Sequence, residues 1–274
     1  MILLPTQSSR HFVIPSFPFV FSLSLLRVSL LYNIHLMLSY LQEIYLQVVR
    51  FLSPVECVVC HKPWEYICPA HRKYLVKHVS ECYLCHTATL SFSVCDEHIW
   101  GVLQWVVVGF YYTRLVAYCV HIAKYASSWS MFHIFGQQGA LDIRMHPDLQ
   151  RALRQWKLII TSVPMHPRKQ HYKRWYNQAE KLAEYLAEEL CLKHTPLCLK
   201  EKNTMTQTRL SRRFRKQNAK DLYVYSGPLL PEGSVVLIVD DIITTWSTVQ
   251  AVAEAIKKTN PQVLIWGWCV ARNG

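Results

Sequence analysis

Residues 235–248 read Val-Val-Leu-Ile-Val-Asp-Asp-Ile-Ile-Thr-Thr-Trp-Ser-Thr, and the order of residue types in that stretch decides the fold. Val235 to Val239 is an unbroken aliphatic run, which suits a parallel strand buried on both faces better than a half-exposed edge strand. Asp240 and Asp241 follow at its carboxyl end. Val249, Val252, Ala253 and Ile256 then recur at helical spacing, which predicts a helix from about Thr248 with its N-terminus aimed back at the loop. A further strand is expected over Val263 to Val270, after Asn260-Pro261. Carboxylates and unpaired backbone N–H groups thus meet at the positive end of a helix, an arrangement that suits a sugar phosphate. The plainer alternative, aspartates that only cap the helix, explains less of the stretch.

Upstream, Leu158, Ile159 and Ile160 predict a strand from Lys157 to Val163-Pro164, the proline disfavouring helix. The basic stretch Arg168 to Arg174 reads as a loop. A helix over 177–190 follows, with Ala179, Leu182, Ala183, Leu186, Ala187 and Leu190 on one apolar face. Residues 201–220 are polar and suit a mobile hood that closes over a ligand. Ile99 to Ala126 is expected to supply a strand and then a helix, and Gly136 to Pro147 a loop before another helix.

The cysteines make a second constellation. Cys57-x-x-Cys60, Cys68-x-x-His71, Cys82-x-x-Cys85 and Cys95-x-x-His98 share one spacing, each able to offer two ligands from a tight turn. Two pairs close one tetrahedral zinc site, so one or two structural zincs are expected, with sequential or crossed pairing both open. A disulfide framework is the alternative, disfavoured by the two histidines. Cys119, Cys191, Cys198 and Cys269 are expected as small core residues, while His61, His78 and His86 lie close enough to substitute as ligands.

The acid pair and hydroxyl-rich loop resemble the fingerprint of type I phosphoribosyltransferases. That resemblance implies that Asp240 and Asp241 hold the ribose hydroxyls of phosphoribosyl pyrophosphate, directly or through Mg²⁺. Thr244, Thr245, Ser247 and Thr248 would cradle the 5′-phosphate. A cysteine-rich segment ahead of such a half is similar to the competence protein F family, also called ComF. Val163-Pro164-Met165-His166-Pro167, the stretch Arg174-Trp175-Tyr176-Asn177-Gln178, and Thr206 to Ser211 with Arg215 and Asn218 extend the likeness. The family implies a substrate-binding role for Arg174, Asn177 and Gln178, and a lysine in the helix of the 99–126 region, here Lys124. The expected architecture is α/β, a parallel sheet flanked by helices over 99–274, preceded by a zinc ribbon with a short N-terminal helix over 37–98.

Trp175 and Trp246 stand where the family has glycine. Glycine there permits positive φ and close approach to phosphate, so an indole intruding on the cradle and backbone strain of about 1–3 kcal/mol are expected at Trp246. Weaker phosphate binding than in a glycine-bearing relative follows, and activity is left as an open question.

Residues 151–220 hold 17 Lys or Arg against 5 Glu and no Asp, matching the +12 of the whole chain. Such a patch attracts pyrophosphate-bearing substrates and also nucleic acid. Tyr172, Trp175 and Tyr176 interleave with Lys173 and Arg174, a composition able to stack single-stranded bases, although packing against the helix is the commoner use of such rings. The first 36 residues fit neither domain: Phe12 to Leu31 is apolar but broken by Pro15, Pro18 and Arg27. A natural start at Met37, or a disordered leader, is expected, with no stable membrane insertion. Three roles remain: a phosphoribosyltransferase of DNA uptake, a single-stranded-DNA-binding factor, and a docking platform for a competence helicase. The expected location is the cytoplasm, or the membrane through a partner.

Overall fold

Strand β5, Val235–Ile243, runs through the middle of a four-stranded sheet in the order β1-β6-β5-β2, with β1 at Trp105–Tyr111, β2 at Leu158–Ser162 and β6 at Leu264–Arg272. Every pairing in this sheet is parallel. The computed structural model describes residues 37, 56–63, 65–90, 93–98, 101–125, 129–166, 176–201 and 222–273. The leader, the basic loop with Arg174 and Trp175, and nearly all of the expected hood lie outside the described residues.

The aliphatic run of β5 is buried on both faces, as its lack of alternation requires. Val235, Leu237 and Val239 join one apolar layer with helix α2 (Trp129–Met145) and helix α4 (Gln178–Glu189). Helix α1 (Arg114–Tyr125) completes that layer through Val116, Cys119 and Val120. Val236 and Ile238 join the other, with helix α5 (Ser247–Thr259) and the antiparallel pair β3 (Cys198–Lys200) and β4 (Tyr223–Tyr225). The result is a parallel sheet between two helical layers. β3 and β4 bracket the expected hood in the chain.

Both sheet edges are covered. Residues 76–78 lie against β1, with Tyr111 N donating to Val76 O at 3.0 Å and His78 N to Gly109 O at 3.3 Å. On the far side, His194 bridges Ile160, and Thr195 N donates to Ile160 O at 2.8 Å. Covering the edges removes open backbone groups that would otherwise recruit another strand.

Two expectations need correction. Gly136 to Met145 is helix rather than loop, and only His146 separates α2 from α3 (Pro147–Arg154). The glycines are there for close packing: a Cβ on Gly136 would lie 2.9 Å from Tyr185 Cβ, and one on Gly139 would lie 2.5 Å from Leu186 Cδ1 and 3.0 Å from the Trp268 ring. Their absence of side chains lets α2 press onto α4 and β6, at a propensity cost of about 1 kcal/mol each. Second, Cys191 is exposed, at a positive φ of 56° just past the end of α4, whereas Cys119, Cys198 and Cys269 are buried as expected.

Candidate functional site

Strand lengths create the site. β2 ends with Ser162 opposite Val239, while β5 continues to Ile243 paired only with β6. Asp240 and Asp241 therefore lie just past the point where one neighbouring strand stops, within the strand rather than beyond its end. Side-chain alternation also breaks across the pair: Val239 and Ile242 pack into one layer, Ile238 and Ile243 into the other. Local hydrogen bonds hold the break, with Asp241 N donating to Asp240 Oδ1 at 2.9 Å and Ile242 N to Asp241 Oδ1 at 2.6 Å.

Among the described residues, one cation pairs with the two acids. Lys124, in the last turn of α1, places Nζ 2.6 Å from Asp241 Oδ2, both side chains being less than one-fifth exposed. Burial first, and then the charge of Asp241, push the Asp240 carboxyl up to about 8, against the pull of the Asp241 N–H and of Lys124. Cys269 sits opposite Asp240 in the register, its thiol raised by burial and then by both acids. An acid pair with so little compensating charge is primed to accept a hydroxyl donor or a cation.

The turn after β5 leads directly into α5. Thr244 and Thr245 are exposed, Ser247 and Thr248 are half-buried, and Thr245 Oγ1 lies 2.9 Å from Ser247 Oγ. Helix α5 begins without a side-chain cap from its N-cap residue, Trp246. Its first-turn N–H groups are thus offered to an anion.

Trp246 departs from expectation. Its φ is −71°, in the right-handed region, and the residue is 4 % exposed. The indole packs inward against Tyr83, edge to face at 5.5 Å between ring centroids, and lies over Gly267. It therefore neither fills the cradle nor strains the backbone; it pins the turn to the cysteine-rich segment.

Asn177 caps α4, its side chain accepting from Ala179 N at 3.2 Å and donating through Nδ2 to Val163 O at 3.0 Å. That stitches the start of α4 to the end of β2. Gln178 is buried beside it. Tyr176 packs edge-on to Phe132 and donates its hydroxyl to Ala123 O at 2.5 Å, so this ring is engaged in the fold.

The cysteine pairs close sequentially. Cys57, Cys60, Cys68 and His71 form one group, and Cys82, Cys85, Cys95 and His98 a second, each with its ligand atoms within 4.8 Å of one another. In the first, Cys60 and Cys68 sulfurs are 3.9 Å apart, and His71 Nδ1 lies 3.1 and 3.5 Å from the sulfurs of Cys68 and Cys57. In the second, the Cys85–Cys95, Cys95–His98 and Cys82–His98 distances are 3.5, 3.0 and 3.7 Å. A tetrahedron with 2.3 Å arms has edges of about 3.8 Å, so both donor sets fit zinc. Thiolate is the ligating form. Burial raises the Cys57 thiol, but backbone donors from Cys68, Val59 and Cys60 outweigh it and bring it to about 6; hydrogen bonds from Thr87 bring Cys85 to about 6.

His61, His78 and His86 stand outside both groups. His61 and His86 follow the second cysteine of their turns at φ 57° and 66°, and their imidazoles face Glu56 at 3.4 Å and Glu81 at 3.1 Å. The two turns are the same motif used twice.

The second turn is bolted to the candidate site. Gln250 Nε2 donates to Tyr83 OH at 3.5 Å, and Arg272 places Nη1 3.3 Å from Glu81 Oε1 and Nη2 2.7 Å from His86 Nε2. Arg272 lies opposite Ile243, one residue before the hydroxyl turn. These contacts span more than 160 residues of chain, and no local pattern marked Tyr83, Gln250 or Arg272 in advance.

The model for the phosphoribosyl transferase domain matches residues 178–274. DNA utilization protein YhgH of Salmonella typhi is 35 % identical over 114 residues, covering 41 % of this chain and 48 % of the relative. The protein of the same name from Escherichia coli K12 is 34 % identical over 114 residues with the same coverage. Competence protein F of Haemophilus influenzae is 32 % identical over 115 residues, covering 39 % and 48 %. The chain spans about half the length of the curated relatives it matches.

Proposed function

We propose that the chain, whose residues 178–274 match the phosphoribosyl transferase domain and which is similar to DNA utilization protein YhgH and competence protein F, binds Mg²⁺ and phosphoribosyl pyrophosphate beside β5 and supports DNA uptake in natural competence. The observation that carries the reading is the conjunction of an acid pair just past the end of β2 with an uncapped helix N-terminus whose N-cap, Trp246, lies five residues after Asp241.

Asp240 and Asp241 would take the ribose hydroxyls, and Mg²⁺, when bound, would supply positive charge between them and the pyrophosphate. The α5 N–H groups with Thr245, Ser247 and Thr248 would hold the 5′-phosphate, and Thr244 would line the approach. Lys124 holds the Asp241 carboxylate in place through their 2.6 Å ion pair. Arg174 and the basic loop would offset negative charge developing on the departing pyrophosphate. Asn177 and Gln178, at the start of α4, would take part in binding the substrate. The cytoplasm is the fitting location, because a reducing compartment keeps eight thiolate and imidazole ligands on their metal.

The excess of cations between 151 and 220 favours a second use of the same surface, binding of single-stranded DNA, with a competence helicase as a further candidate partner. Fluorescence anisotropy of a labelled oligonucleotide, titrated at several salt concentrations with and without phosphoribosyl pyrophosphate, tests both ideas. Competition by the sugar phosphate supports one shared surface. DNA binding that phosphoribosyl pyrophosphate leaves untouched separates the two, and binding of neither ligand overturns the reading.

A further inference from the structure

A third group of ligand-type side chains lies away from both cysteine groups. Helix α4 presents Glu180 and Glu184 one turn apart on the same face. His194 arrives from the segment after that helix, fixed by its bridge to Ile160 at the edge of β2. One oxygen from each glutamate and one nitrogen from the imidazole fall within 4.8 Å of one another, all three residues being half-buried. Strand β2 separates the group from β5, so two strand spacings put it about 10 Å from that strand.

His194 Nε2 lies 3.1 Å from Ser162 Oγ, a contact that fixes the ring and leaves Nδ1 to ligate, as hydrogen-bond partners of metal-bound histidines do. Burial lowers the His194 imidazole, keeping it in the neutral, ligating form. Burial and then the charge of Glu184 raise the Glu180 carboxyl, against the pull of Lys181. Lys181 Nζ sits 2.6 Å from Glu184 Oε2, an ammonium partly occupying the role of a cation.

We propose that Glu180, Glu184 and His194 form a divalent transition-metal site, ligated by two carboxylate oxygens and one imidazole nitrogen with its remaining positions open to water. The mixed oxygen and nitrogen set suits Mn²⁺ or Zn²⁺, whereas the thiolate groups select zinc and an all-oxygen site would favour Mg²⁺. The site is independent of the sugar-phosphate reading and does not use its residues.

The test uses the full chain with both cysteine groups loaded with zinc, titrated with Mn²⁺ and followed by electron paramagnetic resonance. To remove binding at the acid pair, the titration is run in the Asp240→Asn, Asp241→Asn background. One Mn²⁺ is expected to bind there, at least tenfold more weakly after Glu184→Gln or His194→Ala, and more tightly after Lys181→Ala. Glu184→Gln preserves shape and a half-exposed position, so its folded state, checked by circular dichroism, decides the matter even where His194→Ala does not fold. Absence of bound Mn²⁺ in the double-asparagine background, or unchanged affinity after Glu184→Gln, overturns the proposal.

Discussion

Replacing Trp246 with glycine restores the family residue at that position and, from the structure, should harm rather than help. The indole is 4 % exposed, sits among Val249, Val252 and Ile265, and meets Tyr83 edge to face. Emptying such a site costs about 3–5 kcal/mol for a large aromatic. Glycine is tolerated at a helix N-cap, so the backbone adds only tenths of a kcal/mol. Trp246 Nε1 is buried with no hydrogen-bond partner among the described residues, which trims the loss to about 2–4 kcal/mol. For a body of this size, that is a fall in Tm of about 4–16 °C. Differential scanning calorimetry reads the change, and isothermal titration with phosphoribosyl pyrophosphate reads its consequence: an unpinned turn should bind more weakly. A glycine variant with unchanged Tm and tighter binding would refute the anchoring role and restore the picture of an indole obstructing the cradle.

Other consequences follow from single residues. Asp240 retains its proton in the fold to about pH 8, while an unfolded aspartate releases it near pH 4, so between those values the unfolded chain binds fewer protons and stability falls as pH rises. Thermal melts across that window should show the decline in the parent chain and its loss in Asp240→Asn; a parallel slope in both would contradict it. Cys82→Ser should release one of two zincs and loosen the turn carrying Tyr83, lowering sugar-phosphate affinity as well as stability, because ligation contributes folding free energy. Zinc content by mass spectrometry with a melt checks this, and a metal-depleted chain that melts like the loaded one would count against it. Gly139→Ala should destabilise by about 1–3 kcal/mol in urea titration despite alanine's better helix propensity, since its Cβ would lie 2.5 Å from Leu186 Cδ1.

Local patterns carried much of this molecule. The unbroken aliphatic run announced a strand buried on both faces, the helical spacing of Val249 to Ile256 located the start of α5 to within a residue, and four repeated spacings marked the eight cysteine and histidine side chains that the fold gathers into two groups. Pairing of the cysteine turns could not be read, because equal spacing fits sequential and crossed closure alike; three-dimensional proximity selects the sequential one. Gly136 and Gly139 misled for a physical reason: glycine breaks an isolated helix but permits a close crossing, and only the partners Tyr185, Leu186 and Trp268 distinguish the two uses. Trp246 misled likewise. A bulky residue in a loop reads as an obstruction until the pocket that receives it, built from Tyr83 and the face of Gly267, is known. The ion pair of Lys124 with Asp241 joins segments more than a hundred residues apart, and only the family likeness pointed to that lysine.

The central claim is that the acid pair and the turn after it grip a phosphorylated pentose. A crystal structure of the full chain grown with Mg²⁺ and phosphoribosyl pyrophosphate tests it most directly. The expected result places the ribose hydroxyls against Asp240 and Asp241, and the 5′-phosphate oxygens about 3 Å from the first N–H groups of α5. Phosphate density confined to another surface, with Asp240, Asp241 and the turn unliganded, would contradict the account.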